Sequence, residues 1–215
     1  MTLYDCSRKQ NAAQGIAAAV RALHAGELVV MPTDTVYGIA CDAFNAEAIE
    51  KLLAAKGRGP DMPVPVLVSA WEDAAKLAGD MPNGALQLAR HYWPGGLSIV
   101  VPQARDLSWN LGHTHDTVML RMPNSALARK LLSRTGPLGV SSANKTGHAP
   151  ATTAQQAWEQ LHTDIAVYLD DGPAAVGKPS TIVDFTQDEP RILREGALTA
   201  QQVWEILEKE NGDTL

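Results

Sequence analysis

The sequence predicts an α/β protein, or a mixed sheet with helices packed on it, and three observations carry that prediction. Short apolar, β-branched runs alternate with amphipathic helical stretches along most of the 215 residues. One of those runs, Leu28 to Met31, reads as a buried strand that Pro32 ends, because proline cannot donate to a ladder. It delivers Thr33, Asp34 and Thr35 to a strand end, where open α/β sheets place ligands. Hydrophobic residues make up 45% of the chain, enough for a real core, so disorder is not expected. With no internal repeat and no low-complexity linker, one domain over 1–215 is expected, with its core at about 10–200.

The elements follow in order. Asn11 to Ala25 predicts a helix, with Ile16, Val20 and Leu23 on one face and Gly26 as the stop. Past the Leu28 strand, Val36-Tyr37-Gly38 turns the chain back into apolar sequence. Asn45 caps a helix to about Ala55, with Ile49, Leu52 and Leu53 inward and Glu47 and Glu50 favourable near its start. Val64 to Ser69 reads as a strand, and Pro65 makes it an edge or bulged one. Helical stretches follow at Trp71 to Ala78 and Ala85 to Tyr92, then a tight turn at Trp93-Pro94-Gly95-Gly96 and a strand from Leu97 to Val101. Gln103 to Asp116 is polar and irregular. Thr117 to Arg121 is a strand stopped by Pro123, and Asn124 caps a helix to about Arg134. Leu138 to Ser142 is a strand. Thr152 or Thr153 caps a helix to about Leu161. Ala166 to Leu169, Thr181 to Phe185 and Arg191 to Leu193 are strands, the last two a hairpin across Gln187 to Glu189. Ala200 to Glu210 is a final amphipathic helix using Val203, Ile206 and Leu207.

Composition removes several functional classes. No apolar run reaches the roughly 18 residues of a membrane span, and the first ten residues lack the apolar core of a signal peptide. Cys6 and Cys41 form no CxxC pair, which suits a reduced, cytoplasmic protein with structural thiols. A net charge of −6 argues against a broadly basic nucleic-acid surface, though not against a local basic pocket. His24, His91, His113, His115, His148 and His162 make no metal cluster of recognisable spacing.

Four further segments carry chemistry. Lys56-Gly57-Arg58 places two cations beside a glycine just past a helix end, able to hold phosphate oxygens or simply to complement the helix dipole. Thr117, Met119 and Arg121 share one face of a strand, and a buried arginine needs an anion, either a ligand or an internal acid such as Asp34 or Asp184. Ser142 and Asn144 offer a hydroxyl and an amide on a common side at a strand end, without the GxSxG elbow of a nucleophilic serine. Gly177-Lys-Pro-Ser-Thr181 lacks the first glycine of a P-loop and a hydroxyl directly after the lysine. The threonines at 33 and 35 have their own bland alternative, a turn whose hydroxyls bond only local backbone.

Taken in order, these segments resemble the YrdC-like family of threonylcarbamoyl-AMP synthases. Its PTDTVYGL run matches Pro32 to Ile39, its KxR matches Lys56 to Arg58, and its WPGPLT matches Trp93 to Ser98. Its VRMP, SAN, STI and LRxG match Leu120 to Pro123, Ser142 to Asn144, Ser180 to Ile182 and Leu193 to Gly196. The resemblance implies a twisted mixed sheet flanked by helices with a central concave pocket. It implies a nucleotidyltransferase that makes threonylcarbamoyl-adenylate and pyrophosphate from L-threonine, bicarbonate and ATP, for threonylcarbamoyladenosine modification of tRNA. Thr33, Thr35, Arg121, Ser180 and main chain at Val140 would then hold threonine and its carbamate. Arg58, Thr117, Ser142, Asn144, Arg194 and main chain at Pro150 would hold ATP, with Lys56 and Arg58 as the catalytic cations. Magnesium is expected mainly on the ATP phosphates rather than on protein ligands. The expected partners are downstream proteins that transfer threonylcarbamoyl to tRNA, with at most a weak direct contact with tRNA and no membrane. Two departures stand out, because Met62 and Leu67 replace an Asn and a His of the family pattern. Longer members close the site with a linker to a second domain, and only the last helix is available for that here. The alternatives are an RNA-binding module using the same pocket without turnover, and a hydrogenase-maturation carbamoyltransferase domain, whose cysteine clusters are missing here.

Overall fold

The computed structural model describes residues 2–209. Its strands are β1 (Thr2–Asp5), β2 (Val29–Met31), β3 (Gly38–Asp42), β4 (Val66–Leu67), β5 (Leu97–Pro102), β6 (Thr117–Arg121), β7 (Leu138–Ser142), β8 (Val167–Asp170), β9 (Thr181–Asp184) and β10 (Arg191–Arg194). They join in one mixed sheet in the order β1-β8-β2-β3-β7-β4-β6-β5-β9-β10. The helices are α1 (Lys9–His24), α2 (Ala46–Lys56), α3 (Trp71–Leu77), α4 (Asn83–Tyr92), α5 (Ala126–Thr135), α6 (Ala154–Leu161) and α7 (Ala200–Lys209). Glu210, placed in the last helix from sequence, lies outside the described residues.

Strand alternation splits the core into two layers. Val29, Met31, Leu138 and Val140 face one side, against Ile16 and Leu23 of α1 and Leu131 and Leu132 of α5. Val30, Ile39, Val66 and Leu120 face the other, against residues of α2, α3, α4, α6 and α7. The expected mixed sheet with helices on it is therefore what forms, with helices on both faces. Cross-strand partners share a face. Leu67 pairs with Arg121 and with Leu138, Met119 with Val100, and Ser98 with Ile182. These residues stand on the α1/α5 face, but on strands towards the β10 end. Part of that face becomes a cavity instead of a helix-covered core.

Several sequence expectations change. β1 and β3 went unrecognised. β3 runs antiparallel to β2, so Pro32 to Tyr37 is the connection of a hairpin rather than the end of a lone strand. β4 is two residues long and lies inside the sheet, between β7 and β6, so the edge assignment is wrong. Pro65 precedes the ladder, where its missing N–H costs nothing and its carbonyl accepts from the Val140 N–H at 2.8 Å. The cap of α5 is Ser125, whose hydroxyl accepts from the Ala128 N–H, not Asn124. Thr153 is the α6 cap, and Asn45 caps α2 as expected.

Candidate active site

The β2–β3 connection builds one wall of a cavity of about 410 Å³. Thr33 serves the turn itself. Its hydroxyl donates to the Val36 carbonyl at 2.6 Å, and it accepts from the Thr35 and Val36 N–H groups at 3.3 Å. Its single proton being spent there, the 3.0 Å contact with Thr35 Oγ1 has Thr35 as donor. Thr35 thus keeps its lone pairs for a donor in the cavity. The local-turn reading holds for Thr33, while Thr35 borders the cavity with its hydroxyl not spent on local backbone.

α2 delivers the two cations. Gly57 takes a left-handed conformation (φ 65°), which ends the helix and swings Arg58 out of the helical path. Lys56 is 2% exposed and its Nζ donates to the carbonyls of Ser142 and of Asn144, the latter at 2.8 Å. Burial first, and the neighbouring Arg58 charge second, bring its pKa down to about 7. Arg58 lines the cavity with Nε and Nη2 buried and without a protein partner. Burial works against its charge and nothing offsets it. Arg58 also borders a second cavity of about 480 Å³, alongside Ile49, Leu53 and His113.

Across the cavity, β5, β6, the end of β10 and the segments before β9 and after β7 supply the remaining polar groups. Arg121 pairs with Asp34 (Nη2 to Oδ1, 2.7 Å) and donates from Nε to the Gly95 carbonyl at 2.9 Å. Of the two internal acids considered from sequence, Asp34 is the partner, while Asp184 accepts from the Thr186 N–H. Arg194 donates from Nε and Nη2 to the Ser180 carbonyl and from Nη2 to the Ser180 hydroxyl at 3.1 Å. Ser180 in turn contacts Ser98 Oγ at 2.8 Å. Gly196 leaves room for this, since a side chain there would meet the Pro179 carbonyl at 2.2 Å. Asn144 gives both amide hydrogens to the carbonyls of Lys145 and His148, and its Oδ1 is buried without a donor.

Of the residues singled out from sequence, Thr33, Thr35, Lys56, Arg58, Arg121, Val140, Ser142, Asn144, Ser180 and Arg194 all border this cavity. Thr117 and Pro150 do not. Thr117 lies at the far end of β6, with its hydroxyl bonded to the Thr114 carbonyl, and Pro150 stands beside Ala151, whose carbonyl takes the Tyr37 N–H. Ser98, Tyr37, Met119 and Ile182 were not singled out as site residues, yet they line the cavity. Ser98 could have been found, because it ends the Trp93 turn motif. Met62 and Leu67 make that wall apolar, with Pro63 and Pro65. α7 contributes no lining residue. It packs on α4, where the Tyr92 hydroxyl donates to the Gln202 carbonyl at 2.7 Å, so it is not the closing element.

The lining therefore carries four cationic side chains and no carboxylate, with only Arg121 compensated, by Asp34. Such a cavity recruits anions. A family profile named Sua5_yciO_yrdC and described as "Telomere recombination" matches residues 21–196. The chain is 52% identical over 204 residues to a putative threonylcarbamoyl-AMP synthase of Mycobacterium tuberculosis, covering 95% of this chain and 94% of the relative. It is 35% identical to the threonylcarbamoyl-AMP synthase of Bacillus subtilis, covering 89% of this chain but 56% of that protein. Among solved structures, Pyrococcus abyssi Sua5 complexed with L-threonine superposes with a TM-score of 0.86 at 32% identity, over 89% of this chain and 57% of that one. The chain thus spans somewhat over half of these two longer relatives. No helix among the described residues is long and apolar enough to cross a membrane. Profile, sequence relatives and superposed structure agree with the order of motifs around the cavity: the chain belongs to the Sua5/YciO/YrdC family.

Proposed function

We propose that the chain is an L-threonylcarbamoyladenylate synthase, a nucleotidyltransferase acting on L-threonine, bicarbonate and ATP. The observation that carries this is the pair of unpartnered, buried Arg58 nitrogens in a cation-lined cavity, beside the buried Lys56. The neutral amine of threonine adds to bicarbonate with loss of water, and two anions, the resulting carbamate and ATP, must then meet there. A carbamate oxygen attacks the α-phosphorus, the bond to the bridging oxygen breaks, and pyrophosphate leaves with that electron pair. The carbamate is already ionised, so the protein's task is to position and to neutralise charge rather than to take a proton. Arg121 takes the threonine carboxylate. Thr35, whose lone pairs are free, accepts from the substrate, with Ser180 and main chain at Val140 beside it. Arg58, Arg194, Ser142 and Asn144 hold the nucleotide. The orphaned Asn144 Oδ1 suits a ribose hydroxyl or an amino group, both donors.

The lining provides hydroxyls, an amide and cations but no carboxylate. Magnesium therefore fits as a companion of ATP rather than of protein ligands, and would supply neutralisation of the leaving pyrophosphate. We infer that the protein acts in the cytoplasm, upstream of proteins that transfer threonylcarbamoyl to tRNA.

The test is pyrophosphate release with each substrate omitted in turn. Release is expected only with threonine, bicarbonate and ATP together. Equal release without threonine would be plain ATP hydrolysis and would end the assignment.

Lys56 adds a pH dependence. As a neutral amine it has the two hydrogens that Ser142 and Asn144 accept, and as an ammonium it has a third to offer to phosphate. Phosphates favour the ammonium, so ATP binding takes up a proton, and the ATP KM should rise as pH goes from about 7 to 9. Titration calorimetry in buffers of different ionisation enthalpy reads that proton directly. A flat ATP KM with no proton uptake would show that Lys56 does not meet the nucleotide.

A further inference from the structure

We infer that Asp34 is a positioning residue for substrate carboxylate binding, holding the Arg121 guanidinium in the one orientation that presents its free edge to the cavity. The inference rests on the proposed function, in which Arg121 takes the threonine carboxylate.

A guanidinium has five donors in one plane. Two of Arg121's are fixed, Nη2 on Asp34 Oδ1 at 2.7 Å and Nε on the Gly95 carbonyl at 2.9 Å. Two bonds in the plane stop the group from turning, and they leave Nη1 and the second hydrogen of Nη2. Those form the end-on fork that matches both oxygens of a carboxylate. Arg121 lines the cavity and Asp34 does not, so the acid stands behind the cation, away from the ligand.

Asp34 is itself held from several directions. Its Oδ1 also accepts the Asn124 N–H at 2.9 Å, and its main-chain carbonyl accepts the Val176 N–H at 2.9 Å. The Gly95 N–H is anchored on the Met122 carbonyl at 2.8 Å. The β2–β3 connection, the segment after β6, the turn before β5 and the loop after β8 therefore meet at this one ion pair. Its side chains are 7% and 10% exposed. A pair so buried gains little stability over apolar replacements, so stability alone is a poor account of it. Asp34 also offsets the burial that works against the Arg121 charge, which keeps a full cation ready for an anion.

The experiment compares Asp34→Ala and Asp34→Asn with the wild-type full chain, measuring threonine KM, ATP KM and melting temperature. Alanine removes the acceptor, and threonine KM is expected to rise tenfold or more with ATP KM within twofold. Asparagine retains an oxygen for Nη2, and the rise is expected to shrink to between twofold and fivefold, again for threonine only. Should the alanine protein not fold, the asparagine protein decides alone. An unchanged threonine KM in the folded variants would overturn the inference, as would parallel rises in both KM values with a falling melting temperature. A wild-type protein without threonine-dependent pyrophosphate release would overturn the proposed function itself, whatever the variants do.

Discussion

Replacing Arg58 with alanine should weaken ATP binding at least tenfold and leave the melting temperature level or raised. The two halves of that expectation have one cause. Nε and Nη2 of Arg58 are buried with no partner in the protein, and Lys56 adds a like charge beside them. An uncompensated buried charge destabilises the fold. Deleting it removes a desolvation cost and breaks no hydrogen bond from those nitrogens. A bound phosphate would be what satisfies them, and a charge-assisted contact of that kind contributes about 1.5–3 kcal/mol, roughly ten- to a hundredfold in affinity. Threonine KM should move far less, since Arg121 and Thr35 are untouched. Thermal unfolding without ligand, set beside ATP titration at saturating threonine and bicarbonate, separates the outcomes. A fall in melting temperature with ATP KM unchanged would make Arg58 a structural residue.

The features of the fold that sequence reached were those with strong periodicity. α2 buries Ile49, Leu52 and Leu53, and α1 buries Ile16 and Leu23 with Val20 partly buried, as their helical spacing implies, and β2, β5, β6 and β7 are β-rich runs of apolar character. β3 was hidden because Gly38 and Ile39 continue the apolar sequence of the motif, and nothing local marks a hairpin with a six-residue connection. β1 is short and mostly exposed, so its alternation is too weak to read; it exists because β8 offers a parallel edge. β4 is an interior strand despite its neighbouring proline, because the ladder begins only at Val66. Pro65 lies just before the ladder and excludes nothing within it.

The candidate site was legible for a related reason. Its polar side chains stand at strand ends and at one helix end, where chemistry-bearing residues interrupt apolar runs. Proximity across the sheet was not legible. Thr117 and Arg121 share a face, but four residues of strand separate them by about 13 Å, and only Arg121 reaches the cavity. Nor does sequence tell which groups are already spent. Thr33 is committed to its own turn, while Arg121 and Arg194 are only partly committed, giving Nε and Nη2 to Gly95 and Asp34 and to Ser180. Arg58 and Asn144 Oδ1 are unspent, and only coordinates separate these cases.

Lys56→Met should have the opposite signature to Arg58→Ala, although the residues are two apart. Methionine fills the same space but donates nothing, so the Ser142 and Asn144 carbonyls lose the Nζ hydrogens that tie them to α2. Leaving a buried acceptor unsatisfied costs about 1–3 kcal/mol each, against some relief from removing a desolvated cation. A net loss of about 2–4 kcal/mol follows, or a melting temperature lower by roughly 5–15 °C for a chain of this size. The loss should depend on pH in a fixed sense. The folded-state pKa of Lys56 is about 7, below its ordinary 10.5, so between those values the unfolded chain binds more protons than the folded one. Wild-type stability then rises with pH across that window relative to the methionine protein, which has nothing to titrate there. The gap in melting temperature should widen from pH 7 to 9. Catalysis should fall as well, because the loop carrying Ser142 and Asn144 is no longer tied to the helix that carries Arg58. A Lys56→Met protein as stable as wild type at pH 9 would show that the two carbonyls find other donors, and that Lys56 does not hold this loop.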